Sequence, residues 1–383
     1  MTRTRRATVA MLLVGLAIFS SLYSTQAILP TLVDNMGLSS TEAAMTVSAA
    51  TGALALCVVP ASILSERFGR GRILLISAVA ATGVGLIVPF AQEGWQLIVV
   101  RGLQGALLSG APATAMAWLS EELDDKALPR AMGLYIAGTS VGGLTGRLIP
   151  TGLVEISTWR WALFGSALVS LTFAITAWLL LPTQRNFRPK SIHLKTESRA
   201  LLGHWANRDL ALLFLTAFLS MGTFVSMYNF LTFRLIDDFG LAPSLAGLAF
   251  LFYLTGTWSS ARAGSLVARI GHGKTLFASA VLFALGIAFC AGNLPLTLLG
   301  MIAFTVGFFA VHSTASGWVG QIATHDRAEA SSMYVFCYYF GSSVVGACAG
   351  LLFDALSWPL FIAFFTAVAL ALTALTWTKI KSD

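Results

Sequence analysis

Twelve mainly apolar stretches follow one another along this 383-residue chain, near 8–33, 41–65, 73–91, 95–119, 129–154, 159–181, 209–234, 244–268, 274–292, 294–323, 329–354 and 357–378. A helix needs about 20 such residues to cross the hydrocarbon core of a bilayer, and inside that core each backbone polar group must be satisfied within its own segment. The pattern therefore predicts an all-α membrane protein of twelve transmembrane helices. Composition agrees: 56% of residues are hydrophobic and 11% charged, against roughly a quarter charged in a soluble domain, which excludes a water-soluble globule. The apolar run from Ala7 to about Val33 follows Arg3, Arg5 and Arg6. It exceeds the roughly 7 to 15 residues of a secretory h-region and reads as an uncleaved first span.

The formal charge of +7 would suit a nucleic-acid partner if the basic residues clustered on a fold that reads bases, but they do not. Of 24 Lys and Arg, 19 fall at the termini or in the even-to-odd loops, two (Arg160, Arg234) on the opposite side, and three (Arg101, Arg147, Arg262) inside spans. By the positive-inside rule both termini of this multi-pass chain are cytoplasmic. No Asp or Glu lies mid-membrane, although an intramembrane carboxylate is a common proton carrier. Residues 182–208 form the one long polar segment, rich in Arg and Lys (Arg185, Arg188, Lys190, Lys195, Arg199, Arg208), and are read as a cytoplasmic linker whose basic side chains meet anionic lipid. It separates six-span halves at 1–181 and 209–383.

The halves repeat at an offset of 202–203. Asp34-x-x-Gly37-Leu38 recurs as Asp237-x-x-Gly240-Leu241, Arg67-x-Gly69 as Arg269-x-Gly271, and Gly138-Thr-Ser-Val as Gly341-Ser-Ser-Val. Such repeats pack about a central axis and place a substrate site near the bilayer midplane. Cys57, Cys290, Cys337 and Cys348 all lie in apolar stretches without metal-ligand spacing and read as buried free thiols.

After the second span the chain reads Ser62-Ile-Leu-Ser-Glu66-Arg67-Phe-Gly69-Arg70-Gly-Arg72, the fourth carries Arg101-Gly-Leu-Gln104-Gly105, and the fifth Gly138-Thr-Ser-Val-Gly142-Gly143. These runs resemble the loop signature G-x-x-x-D-R-x-G-R-R, the R-x-x-Q-G motif and the antiporter signature G-P-x-x-G-G of the major facilitator superfamily, with Thr139 in place of the proline. Within it, Tyr23, Gln26 and Pro30, the run Gly307 to Ser313, and Tyr338 to Ser343 look most like bacterial drug:proton antiporter efflux permeases. The resemblance implies a secondary transporter, not an enzyme, working by alternating access as a monomer without a cofactor or metal. Its ligands would be a small molecule and protons.

Glu66, Arg67, Gly69, Arg70 and Arg72 then form a gate latch at a helix end, where a carboxylate meets orphan N–H groups; topogenic charge is the plainer reading. Gly138, Gly142 and Gly143 serve close helix packing. Arg101, beside Gln104, either orients a polar or anionic substrate and tunes a neighbour's protonation, or is a structural donor satisfied by carbonyls and Gln104. His312, the one mid-span histidine, either cycles protons or is a neutral core residue; Asp34 is the second candidate carrier. Tyr23 and Gln26 pair at +203 with the neighbourhood of Tyr228 and Asn229, as a neutral or zwitterionic ligand site would need. Arg147 and Arg262 read as structural residues that snorkel. The alternative function is an uptake symporter or facilitator for an organic anion or other small solute.

Overall fold

The first apolar stretch does not form one rod. In the computed structural model, which describes residues 2–124, 126–187 and 201–378, α1 (Arg3–Leu22) stops at Tyr23. A 3₁₀ turn at Gln26–Ile28 follows, and the chain resumes as α2 (Leu29–Met36). Pro30 lacks an N–H, so the Gln26 carbonyl has no i+4 donor and a continuous helix would leave it orphaned. The first span read over 8–33 corresponds to the segment Arg3–Met36, which is long and apolar enough to cross a membrane and carries this interruption.

The rest of the first half comprises α3 (Ser40–Phe68), α4 (Arg70–Gly85), α5 (Gly94–Leu108), α6 (Gly110–Glu122), α7 (Leu128–Val154) and α8 (Trp159–Leu180). The fourth apolar stretch is thus two helices meeting at Ser109, because Pro112 cannot donate to the Leu108 carbonyl. In the second half are α9 (Arg208–Phe233), α10 (Pro243–Leu248), α11 (Tyr253–Ile270), α12 (His272–Phe289), α13 (Leu294–Ile322), α14 (Arg327–Ala355) and α15 (Trp358–Trp377). A 3₁₀ turn over Ala249–Phe252 joins α10 to α11. Among the described residues nine segments are long and apolar enough to cross a membrane as they stand. The other three apolar stretches are α5–α6 and α10–α11, which are interrupted as the first one is, and the glycine-rich α7 that carries Arg147. Linker residues 188–200 and the basic C-terminal residues Lys379 and Lys381 lie outside the described residues.

The chain packs as two compact units, Met1–Leu38 with Met45–His193, and Ser39–Ala44 with Leu194–Asp383. In the first, α1 lies against α7 at backbone distance: a Cβ on Gly138 would sit 2.4 Å from the Leu12 carbonyl oxygen, and one on Gly146 2.3 Å from that of Ser20. In the second, α9 meets α14 the same way, with a Cβ on Gly341 falling 2.1 Å from the Phe218 oxygen. Asp354, at the end of α14, accepts from the Thr41 N–H (3.2 Å) and hydroxyl (2.6 Å), the turn of α3 that clusters with this unit.

The repeat read from short motifs has a backbone counterpart. Every glycine with positive φ among the described residues belongs to a pair at the repeat offset: Gly37 (65°) with Gly240 (67°), and Gly69 (100°) with Gly271 (88°). Only glycine adopts these conformations without strain, so each pair marks the same turn made twice.

Free thiols are found at all four cysteines, but not all are buried: Cys290 and Cys337 are, Cys57 is half-buried and Cys348 lies on an exposed face of α14. For the last two the expected burial is corrected, in part for Cys57 and outright for Cys348.

Candidate functional site

The break in the first span is held by Arg101. Its side chain is fully buried, its Nε donates to the Thr46 carbonyl at 3.1 Å, and its terminal nitrogens donate to the carbonyls of Ser21 (2.9 Å) and Leu22 and to Gln104 Oε1. Ser21 and Leu22 are the last residues of α1, where carbonyls point out unpaired and the helix dipole is negative. A cation with several donors suits that position. Gln104 completes the arrangement, donating to Ser21 Oγ (2.8 Å) and the Ala81 carbonyl (3.1 Å). Gly105 lets α5 touch α3, since a Cβ there would lie 2.0 Å from the Ala50 oxygen. Every member of the Arg101-x-x-Gln104-Gly105 run thus has a contact inside the unit.

Beyond the break, Tyr23 and Gln26 meet a residue that sequence reasoning set aside. Arg147 on α7 is 1% exposed. Its Nε donates to Gln26 Oε1 at 2.8 Å, a terminal nitrogen donates to the Gly143 carbonyl at 2.5 Å, and its guanidinium lies 4.0 Å from the centre of the Tyr23 ring. The snorkelling expected of Arg147 is therefore corrected: a glycine-lined α7 backbone approaches α1 so closely that the side chain runs inward along it. A signal was available, because the position 203 residues on is Gly350 and the charge breaks the repeat. Arg262 is exposed and leans on Trp258 at 5.4 Å. Asp34 is exposed near the end of α2, apart from this cluster.

In the second unit Asn229 and Tyr228 are buried within α9, which, unlike the first span, stays helical through Phe233. The counterparts of Pro30 and Arg101 are Phe233 and Ala303, so neither the missing donor nor the carbonyl-binding cation is there to break it. Tyr228 Oη is 2.8 Å from Thr305 Oγ1, and its ring packs with Phe224, Phe250, Tyr253 and Phe304. His312, half-buried on α13, lies 4.6 Å from the Tyr338 ring. Its Nδ1 is 3.1 Å from Tyr334 Oη, and that hydroxyl reaches the His312 carbonyl at 3.3 Å. With the hydroxyl donating to the carbonyl, Nδ1 carries hydrogen and donates to Oη, leaving Nε2 as the acceptor. Among the described residues Nε2 has no hydrogen-bond partner.

A model of the Major Facilitator Superfamily matches residues 11–250 and 212–382. The chain belongs to the Major Facilitator Superfamily. It is 36% identical to the inner membrane transport protein YnfM of Escherichia coli (strain K12), covering 98% of this chain and 90% of that one. To the multidrug resistance protein MdtG of Proteus mirabilis (strain HI4320) it is 28% identical, over 76% of this chain and 73% of that one. A crystal structure of a mutant nucleoside transporter NupG has the same fold, with a TM-score of 0.82 at 13% identity over 98% and 99% of the two chains. The protein is a multi-pass membrane transporter with the twelve-helix superfamily fold, not an enzyme.

The loop signature of this superfamily member is embedded in a charge network of the first unit. Arg70 bonds Glu121 at 2.6 Å and Glu66 at 3.4 Å, while Arg67 lies over the Phe68 ring and Arg72 is exposed. Gly69, between α3 and α4, supplies the left-handed turn that lets Gln184 accept from the Gly71 N–H. Glu121 and Glu122, which the motif reading did not single out, are the acceptors here. Glu122 binds Arg3 at 2.5 Å and the main-chain N–H groups of Arg185 and Asn186, each at 2.7 Å. In the signature of α7, Gly138 and Gly142 face the α1 backbone, whereas Gly143 faces Arg147.

Proposed function

We propose that this superfamily member exports a small amphipathic or polar molecule in exchange for protons, alternating access between the two sides of a bacterial inner membrane. The observation that carries the reading is His312. It is a titratable side chain on a membrane helix, oriented by Tyr334 through Nδ1, with Nε2 left to exchange a proton. The relative named for multidrug resistance supports the outward direction. In this reading the six-helix halves 1–181 and 209–383, joined by the cytoplasmic linker 182–208, rock about the substrate. Tyr23, Gln26, Tyr228 and Asn229 contact that substrate, Asp34 stands as the second proton carrier, and the Glu66-to-Arg72 loop latches one closed state. Both termini are cytoplasmic, the linker's basic residues lie on anionic lipid, and the working unit is a monomer.

A second reading, uptake or facilitated passage of an organic anion, is favoured by one observation, the cation buried at Arg147. Counterflow in proteoliposomes, with and without an imposed pH gradient, separates the two. Export predicts that an inside-to-outside substrate flux is driven by an opposing proton gradient. It also predicts that His312→Gln uncouples the flux from proton movement, and normal proton stoichiometry in that variant removes His312 as the carrier.

A further inference from the structure

Beside the Arg101 and Gln104 contacts the first unit holds a small, largely enclosed cavity, where α1, α4, α5 and α8 meet. Four serines line it, Ser21 and Ser24 at the end of the first helix and Ser166 and Ser170 on α8, together with Gln104 and Gly85. Three of their hydroxyls have partners in the protein. Ser170 bonds Ser20 Oγ at 2.7 Å and the Ser166 carbonyl at 2.9 Å, Ser24 donates to the Ser21 carbonyl at 3.1 Å, and Ser21 Oγ accepts from Gln104 Nε2 at 2.8 Å. The Ser166 hydroxyl is the exception: the residue is 1% exposed, and its Oγ has no hydrogen-bond partner among the described residues. Ser21 is half-served, because its oxygen accepts while its own hydrogen finds no acceptor there. Buried hydroxyls are costly to leave unpaired and are nearly always satisfied, by protein or by ordered water.

Size and charge restrict what can satisfy these two. The cavity leaves about 10 Å³ to the centre of a water molecule, which is room for such a molecule and far too little for an organic substrate. No acidic side chain lines it, and an Arg101 terminal nitrogen stands 3.5 Å from Ser24 Oγ, which disfavours a cation. That nitrogen already serves the Ser21 carbonyl and Gln104, so no charged donor is left there to hold a bare anion. A neutral ligand that both donates and accepts fits the lining.

We propose that this cavity is a binding site for a water molecule, which takes the hydrogen of Ser21, pairs with the Ser166 hydroxyl and gives a hydrogen to Ser24 Oγ. Three partners are typical of a buried water. The site ties α8 to the end of α1, so the break in the first span is held from α5 by Arg101 and from α8 through the water. It is independent of substrate, direction and proton coupling.

The test is the sign of a stability change, read as the melting temperature of the purified full-length protein in detergent. With water bound, Ser166→Ala strips it of a partner and should lower the melting temperature; in a dry cavity the same change removes an orphaned hydroxyl and should raise it. Alanine is also the better helix former, so the reference is Ser331→Ala at an exposed position on α14, which reads that gain alone. A structure of the parent protein at a resolution that shows ordered water needs no variant. It should contain a density peak at hydrogen-bonding distance, about 2.5–3.0 Å, from both Ser21 Oγ and Ser166 Oγ. No density in the cavity, or a Ser166→Ala protein at least as stable as the Ser331→Ala reference, overturns the proposal. A melting temperature of the parent that rises with sodium or chloride at constant ionic strength, and no longer does so in Ser166→Ala, would place an ion there and overturn it as well.

Discussion

The Arg101 guanidinium donates to the main-chain carbonyl of Ser21 at 2.9 Å, at the point where the first helix ends. A fourth-span side chain thereby finishes a first-span helix, and the same group takes the carbonyls of Leu22 and Thr46. The charge compensates the negative end of α1, and the donors fill acceptors that have no water to turn to.

Replacing Arg101 with Leu removes donors from three buried carbonyls and from Gln104. With each unsatisfied group costing roughly 1–3 kcal/mol, the variant should lose at least about 3 kcal/mol of stability. Arg101→Lys should recover a fraction only, because one ammonium cannot span acceptors on α1 and α3 together. Thermal unfolding in detergent checks this, and a melting temperature unchanged in Arg101→Leu would show that the break holds without it.

Glycine-to-alanine substitutions should sort by neighbour. At Gly138 and Gly341 the new methyl would press on carbonyl oxygens at 2.4 and 2.1 Å, so each variant should be destabilised by about 1–3 kcal/mol. At Gly133, also on α7, a Cβ meets nothing within 4 Å, and alanine should be neutral or stabilising by about 0.5–1 kcal/mol. Melting temperatures of the three variants, measured side by side, decide the matter.

Glu66→Ala should lower transport while leaving membrane topology as it is. Reporter fusions at the loops follow topology and proteoliposome flux follows transport; flux at the parental rate would remove Glu66 from the gate.

Glu122→Ala removes the acceptor that holds Arg3 and the N–H groups of Arg185 and Asn186. Charge-assisted bonds of this kind contribute about 1.5–3 kcal/mol. Trypsin should therefore cut after Arg185 at least about tenfold faster than in the parent, with each 1.4 kcal/mol of opening worth a factor of ten. An unchanged cleavage rate would mean that the bonds of Gln184 and Asn186 to Glu121 and of Gln184 to Gly71 are enough to hold the segment.

Much of the scaffold could be read before any coordinates. Spans of about 20 apolar residues announce themselves because a bilayer demands that length, and the repeat showed in Asp34-x-x-Gly37 and Arg67-x-Gly69 because both sequences end on glycines that only a left-handed turn requires. The interruptions were harder. Pro30 and Pro112 are visible, yet a proline inside an apolar run is as compatible with a kink as with a full stop, and what settles the first span is a contact to Arg101 some 80 positions away. Arg147 was misjudged for a related reason: its place near the end of an apolar stretch suggested reach to the interface, whereas the glycines that decide its direction act through the approach of α1. Glu121 and Glu122 belong to no motif, and their partners are separated from them by about 50 to 120 residues.

The matched glycine turns also give the molecule a built-in experimental control. Gly37 and Gly240, and Gly69 and Gly271, present the same backbone problem at both members of each pair. Any side chain placed at both members of one pair should strain the backbone alike, so a difference within a pair measures what the surrounding half contributes, freed of the cost of bending the backbone.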